Sequence, residues 1–195
     1  SYLLENNPEN LNQYNSILFY GENDGLKDDF KDKINILNKT AEIITFYQED
    51  ILKDVNILTK NIINESLFNT KKIIIINEAD NKILVYLEEV LERVNENIKI
   101  FIFCKLLDKK SKIRNNFEKD KNFAIVPCYQ DTERTLINYI NNTLKDYKGL
   151  TSEITNLIIE NSNLNRGTIK NEIKKIKKLF IDKIIDKKKL IELLN

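Results

Sequence analysis

Ser16-Ile17-Leu18-Phe19-Tyr20-Gly21-Glu22-Asn23-Asp24-Gly25-Leu26-Lys27-Asp28 is the stretch on which the fold turns. A short apolar run, 16–20, stops at a glycine and passes into a charged stretch of helical character, 26–38. Apolar runs of this length bounded by turn residues read as strands buried on both faces. The unit then repeats. Strands are expected at 41–47, 72–77, 98–104 and 123–128, two of them carrying Ile73-Ile74-Ile75-Ile76 and Ile100-Phe101-Ile102-Phe103. Helices are expected over 51–65, 82–95, 109–119 and 131–147. Ile51, Val55, Leu58 and Ile62 set the period of the first of these. Strands alternating with helices predict an α/β fold with a five-stranded parallel sheet covered on both sides. The first 13 residues, with Pro8 and several Asn, predict an irregular or short helical entry.

Beyond Gly149, read as a helix stop, the strands cease. Thr151 or Ser152 can cap a helix over 153–161. Arg166-Gly167-Thr168 leads into a helix whose Ile169, Ile173, Ile176 and Phe180 share one stripe, and a last helix spans about 187–194. The expected organisation is an α/β domain over 1–148 and a small helical domain over 149–195.

The glycine turn sits where G-x-x-x-x-G-K-[ST] marks a phosphate-binding P-loop. Counted from Gly21, the second glycine falls on Leu26, the lysine on Lys27 and the hydroxyl on Asp28. Only the lysine is in register. A side chain at 26 blocks close approach of phosphate to the backbone, and Asp28 sets a carboxylate where a hydroxyl holds Mg²⁺. Glu22, Asp24 and Asp29 add negative charge, which suits a helix N-terminus without any ligand. The third strand runs into Asn77-Glu78, in the place of an Asp-Glu pair, and Asn77 lacks the metal-linked carboxylate. Glu78 and Asp80 read as caps of the next helix. Gly21, Gly25, Lys27, Asp28 and Asn77 are therefore expected to form a degenerate nucleotide loop that binds no ATP.

Composition narrows the function. The 195 residues include no histidine, which removes Ser-His-Asp triads, Cys-His pairs and His-ligated zinc. There is no methionine either, so the natural start lies outside this chain. Cys104 and Cys128 are too few for a disulfide framework and read as core residues. Glu88-Glu89 and Asp28-Asp29 read as exposed helix charges, and no nucleophile meets a base. Formal charge is +1, from 31 basic and 30 acidic residues, which argues against a protein devoted to coating nucleic acid. Mean hydropathy is -0.41. No apolar run reaches the roughly 18–20 residues that span a bilayer, and no signal peptide opens the chain. A soluble, cytoplasmic protein without membrane partners is expected.

Four stretches carry a more specific signal. Leu18-Phe19-Tyr20-Gly21 precedes an acidic, defective loop, and Ser66-Leu67-Phe68 stands just before the third strand. Lys109-Lys110-Ser111-Lys112-Ile113-Arg114-Asn115-Asn116-Phe117-Glu118 follows the fourth strand. Asn165-Arg166-Gly167 is followed by Asn171-Glu172-Ile173 and Lys175. In order and spacing these resemble the delta subunit of the bacterial DNA polymerase III clamp loader, a degenerate AAA+ family, over nearly the whole chain. The resemblance implies an AAA+-like P-loop-type domain, a helical lid and a third, collar domain absent from this chain, which stops at Asn195. It implies a subunit that binds the ring-shaped sliding clamp (beta subunit) and helps open it during DNA replication. ATP is used by neighbouring subunits. The implied partners are the clamp, the other loader subunits and primer–template DNA. No catalytic activity of its own within the polymerase holoenzyme, no cofactor and no metal are implied.

The resemblance maps the clamp-binding site onto Ser66, Leu67 and Phe68, with Leu67 and Phe68 as a hydrophobic plug. The family often has Gln three positions before the serine. Here that position is Ile63, so the polar anchor is either missing or supplied by Asn64. Fully burying each apolar side chain in a partner's pocket contributes roughly 1.5–3 kcal/mol, enough for a hot spot. By pattern alone Leu67 and Phe68 read rather as core residues closing a helix–strand junction, and the resemblance reverses that reading. Lys174 and Lys178, in a lysine-rich final stretch, and Lys109 and Arg114, after the fourth strand, are candidate DNA contacts. The competing reading is a P-loop-derived NTP-binding regulatory protein or NTPase. The loader's sibling non-ATPase subunit is disfavoured, because the chain has no zinc-binding cysteine cluster and no Ser-Arg-Cys.

Overall fold

A computed structural model describes residue 4 and residues 7–63 and 71–194. Five strands, β1 (Ser16–Tyr20), β2 (Glu42–Tyr47), β3 (Lys72–Ala79), β4 (Ile98–Cys104) and β5 (Phe123–Pro127), form one all-parallel sheet. Their order is β2-β3-β4-β1-β5. Leu18 pairs with Ile102 on one side and Ile125 on the other, and Ile74 lies between Ile44 and Ile100. Pro127 ends an edge strand, where its missing N–H costs no ladder bond. A six-residue 3-10 helix, Pro8–Gln13, precedes β1.

The Ile and Phe runs are apolar at every position because each strand feeds two layers. Leu18, Ile74, Ile76, Ile100 and Ile102 pack on one face against α2 (Gln48–Lys53), α3 (Ile57–Ile63), α4 (Leu84–Leu91) and α5 (Lys112–Lys119), through Ile51, Leu58, Leu87 and Phe117. Ile17, Phe19, Ile73, Phe101 and Phe103 face the other layer, formed by Leu26, Phe30 and Ile34 of α1 (Asp24–Leu37). There Phe19 stacks on Phe103 with ring centroids 4.6 Å apart.

Two expected elements differ. The helix expected over 51–65 is two helices, α2 and α3. Asp54 separates them: its carboxylate accepts the Asn56 N–H at 3.1 Å and pairs with Lys60 at 3.1 Å, and the Lys60 bond holds its pKa below the usual carboxylate range. Val55 consequently stands exposed rather than in the buried stripe. Before α4, Asp80 caps a 3-10 turn over Asn81–Ile83 by accepting the Lys82 N–H at 2.7 Å. Glu78 caps nothing there. It is exposed and left-handed, with φ 55°.

The chain divides into two compact units, Ser1–Tyr129 and Gln130–Asn195. The second holds α6 (Glu133–Thr143), α7 (Ser152–Asn161), α8 (Arg166–Leu179) and α9 (Lys187–Leu194). Leu136, Ile140, Ile158, Ile169, Ile176 and Leu190 form its core. This division differs from the boundary expected at 148/149 in the placement of α6. Its Leu136 and Ile140 are fully buried in the helical core, which assigns the helix to the second unit. Gly149 is also not a helix stop, since α6 ends at Thr143. Its φ of 85° serves a close pass: a Cβ there falls 2.7 Å from the Ile185 carbonyl oxygen.

Caps set the helix starts of this unit. The Thr132, Thr151 and Asn165 side chains accept the N–H groups of Thr135, Ile154 and Thr168. Arg166, at the start of α8, donates to Asp131 at 3.0 Å with both side chains over nine-tenths buried. Its guanidinium lies 4.2 Å from the centroid of the Tyr139 ring.

Candidate functional site

The carboxyl ends of β2, β3 and β4 and the start of the helix over Asp24–Leu37 border a cleft of about 290 Å³, whose walls include Lys27, Asp28, Asn77, Glu78, Cys104 and Lys105. Of the residues expected to form the degenerate nucleotide loop, Lys27, Asp28 and Asn77 line this cleft, and Gly21 is tied to Lys27 through its carbonyl. Gly21 has φ 132°, and a Cβ on it falls 2.1 Å from the Cys128 carbonyl oxygen. Glycine is required at 21 by the backbone after β5, whether or not a ligand is present. The Asn23 N–H donates to the Cys128 carbonyl at 3.0 Å, and its side-chain amide donates to the Tyr129 carbonyl at 3.1 Å. The Asn23 oxygen accepts the Leu26 N–H at 3.0 Å, capping α1.

α1 therefore starts at Asp24, only three residues beyond β1, and Gly25 lies inside its first turn. A long phosphate-wrapping loop has no room to form there. Lys27 is buried, and its ammonium donates to the Gly21 carbonyl at 3.0 Å and the Cys104 carbonyl at 3.2 Å. It also pairs with Asp24 at 2.7 Å. Asp28 is 3.4 Å from Lys31. Asp29, expected to be exposed, is buried. A phosphate entering this cleft has to displace these bonds rather than complete them.

On the facing strand, Asn77 is buried and its side-chain oxygen has no protein partner among the described residues. Burial pushes the Cys104 thiol up to about 12, so it is an inert core group.

The stretch after β4 is anchored at its far end. The Ser111 hydroxyl donates to the Asn81 side-chain oxygen at 2.9 Å, and the Ile113 N–H reaches the same oxygen at 3.0 Å. Lys109 stands exposed in this loop. Arg114, expected as a candidate DNA contact, is engaged internally. It donates to Glu118 at 2.9 Å, which raises its pKa, and its guanidinium lies 4.9 Å from the centroid of the Tyr20 ring. Tyr20 shares a 3.0 Å hydrogen bond with Tyr129, and burial followed by that bond pushes its hydroxyl up to about 12.

Ser66, Leu67, Phe68 and Asn64 lie outside the described residues, in the stretch of chain between α3 and β3. Lys174 and Lys178 are exposed on α8. The cap at Asn23, the Lys27 bonds and the Arg166–Asp131 pair were not read from the sequence. Each joins positions with no local pattern between them, except that S-x-x or N-x-x spacing hints at helix caps.

A parallel sheet with helices on both faces, ordered β2-β3-β4-β1-β5, with a glycine turn after β1, defines an AAA+-like α/β fold. The chain is similar in structure to the Bacillus subtilis DNA clamp loader delta protein (YqeN), with a TM-score of 0.67 at 13% sequence identity. The match covers 94% of this chain and 58% of that one, so the chain spans a little over half the length of that protein. No protein-family model matches the chain, and no curated protein matches it in sequence.

Proposed function

We propose that this chain acts as a clamp-loader delta-type subunit, binding a ring-shaped sliding clamp and helping to open it without hydrolysing ATP itself. The observation that carries the reading is an AAA+-like fold whose phosphate loop is filled by its own side chains. The Lys27 ammonium is spent on the Gly21 and Cys104 carbonyls, and Asn23 takes the N–H group that a phosphate needs. Such a domain has kept a frame and given up a chemistry, which suits a binding subunit among ATP-using neighbours. Likeness to a solved DNA clamp loader delta protein supports the same role.

In this reading the contact is the plug Leu67-Phe68, with Ser66 and Asn64 beside it. Two large apolar side chains entering a partner's pocket supply roughly 1.5–3 kcal/mol each when fully buried. The other loader subunits are the further partners. Size-exclusion co-elution with the cognate clamp tests the proposal. The wild-type chain is expected to co-elute. Leu67→Ala with Phe68→Ala is expected to abolish co-elution while the circular-dichroism melt stays in place. A double variant that still co-elutes removes the plug, and one that unfolds assigns the two residues to the core. A wild-type chain that ignores the clamp removes the function. An ATP–Mg²⁺ titration separates the rival NTP-binding reading, which requires saturable binding in this cleft.

A further inference from the structure

Asn77 is the one wall of the cleft whose buried polar atom the fold leaves unmet among the described residues. Its side chain lines the cleft and the residue is only 8% exposed, yet Oδ1 accepts no hydrogen bond from those residues. A buried acceptor without a donor is a standing penalty, and such a group in a native fold calls for a partner. The backbone is irregular at the same place. The β3–β4 register shifts between Ile76 and Ala79, and Glu78, inside the shift, is left-handed. Bulges of this kind re-aim side chains beside sites. The Glu78 side chain is exposed and has no ion pair among the described residues.

The remaining groups of the cleft select the chemistry of that partner. Lys27 is paired with Asp24 and Lys31 with Asp28, so these charges cancel. What is left over is the Asn77 oxygen, the Glu78 carboxylate and the exposed Lys105 ammonium. The Asn77 oxygen needs a donor, so an anion cannot satisfy it. A divalent ion lacks its carboxylates, since no group of three or more Asp, Glu, Cys or His converges among the described residues. A guanidinium presents a rigid fork that matches two coplanar acceptors. A primary ammonium is a point charge whose donors turn freely. One buried oxygen and one carboxylate in the same cleft suit the ammonium.

We infer that this cleft binds a primary alkylammonium group, which donates to Asn77 Oδ1 and is balanced by the Glu78 carboxylate. A free amine and a lysine side chain of a protein carry the same chemistry. Lys105 opposes the ligand, so the site is weak by charge and specific by its need for an N–H donor. A cleft that has lost the means to hold phosphate has thereby kept a place for the opposite charge. The inference does not rest on the clamp reading, since it uses none of the same residues.

The test is an NMR titration of the isotope-labelled full chain at fixed ionic strength, following the Asn77 side-chain amide and the Glu78 backbone amide. The probe n-butylamine, charged at neutral pH as lysine is, is expected to give saturable shifts at both. Tetramethylammonium carries the same charge without an N–H donor and is expected to give none. Asn77→Leu removes the oxygen and fills its space. The urea midpoint is therefore expected to hold or rise, while butylamine affinity, followed at Glu78, falls about tenfold or more. Glu78→Gln, at an exposed side chain, is expected to weaken binding about twofold to fivefold, and Lys105→Gln to tighten it by a similar factor. Acetyl-lysine amide, titrated alongside, separates the sources. Tighter binding of the lysine derivative points to a protein side chain and tighter binding of butylamine to a free amine, and both support the site. The inference is overturned by the absence of saturable shifts with either amine, by equal shifts with tetramethylammonium, or by saturable shifts with acetate instead. An Asn77→Leu or Glu78→Gln chain that binds butylamine as the wild type does also overturns it. No clamp is present in the titration, so failure here and failure of the clamp reading are separately visible.

Discussion

Lys27 on α1 and Lys174 on α8 are the same side chain put to opposite uses. Lys27 is buried, and three oxygen atoms surround its ammonium. Lys174 is exposed with no acidic partner among the described residues. In a P-loop the lysine is held ready for a phosphate. Here the cation at that register has become part of the frame, tying the turn after β1 to the end of β4. Lys177 and Lys178, exposed on α8 with Lys174, also have no acidic partner among the described residues. The contrast teaches that lysine content is a poor guide to function until partners are known, because burial and pairing decide which cations remain for a ligand.

The sharpest test of the buried class is Arg166, the most enclosed cation of the helical unit. Breaking a buried ion pair leaves its partner uncompensated, at a cost of about 3–5 kcal/mol. Arg166→Ala is therefore expected to destabilise the helical unit by about that amount in urea unfolding followed by circular dichroism. A loss below about 1 kcal/mol would place Arg166 with the surface lysines and break the comparison. Lys27 comes next. Lys27→Met keeps most of the side-chain volume but removes the donor to the Gly21 and Cys104 carbonyls. Buried acceptors left unmade cost about 1–3 kcal/mol each, so a loss of about 2–3 kcal/mol is expected from the same measurement. A near-neutral Lys27→Met would mean that the ammonium is not part of the frame and would return it to the role of a ligand group.

The strands were legible because a parallel sheet buried on both faces leaves an apolar residue at every position, as in Ile73–Ile76 and Ile100–Phe103. The break at Asp54 was not, because Ile51, Val55, Leu58 and Ile62 keep a helical period straight through it. A local capping carboxylate outweighs that pattern. At the candidate site the motif register pointed to Lys27 and Asn77, which line one cleft, and to Gly21, whose carbonyl accepts from Lys27. It could not reveal what Gly21 and Lys27 do, since their partners Cys128 and Cys104 come from just beyond β5 and from the end of β4, far along the chain. The α6 boundary failed for the same reason. A helix shows its apolar face in sequence, but not which core receives it. The plug proposed at Leu67 and Phe68 rests on family resemblance, because two apolar residues before a strand are as common in cores as at interfaces.

The smallest effect expected is the one that keeps the other two interpretable. The α8 triple Lys174→Gln, Lys177→Gln and Lys178→Gln should change stability by less than about 1 kcal/mol, because opposing small terms meet there. Removing the last-turn cations forfeits a favourable interaction with the helix dipole, typically 0.3–1 kcal/mol at low salt. Removing Lys174 and Lys178 together also relieves a like-charge i,i+4 repulsion, about 0.2–0.5 kcal/mol. Glutamine and lysine have nearly equal helix propensity, so the backbone term is close to zero. Both electrostatic terms shrink as salt rises. The wild-type and triple-variant urea midpoints should therefore converge as salt is raised from about 50 to about 200 mM. A triple variant that is strongly destabilised at both salts would show that these ammonium groups are spent inside the fold, as Lys27 is, and the distinction between the two kinds of lysine would fail.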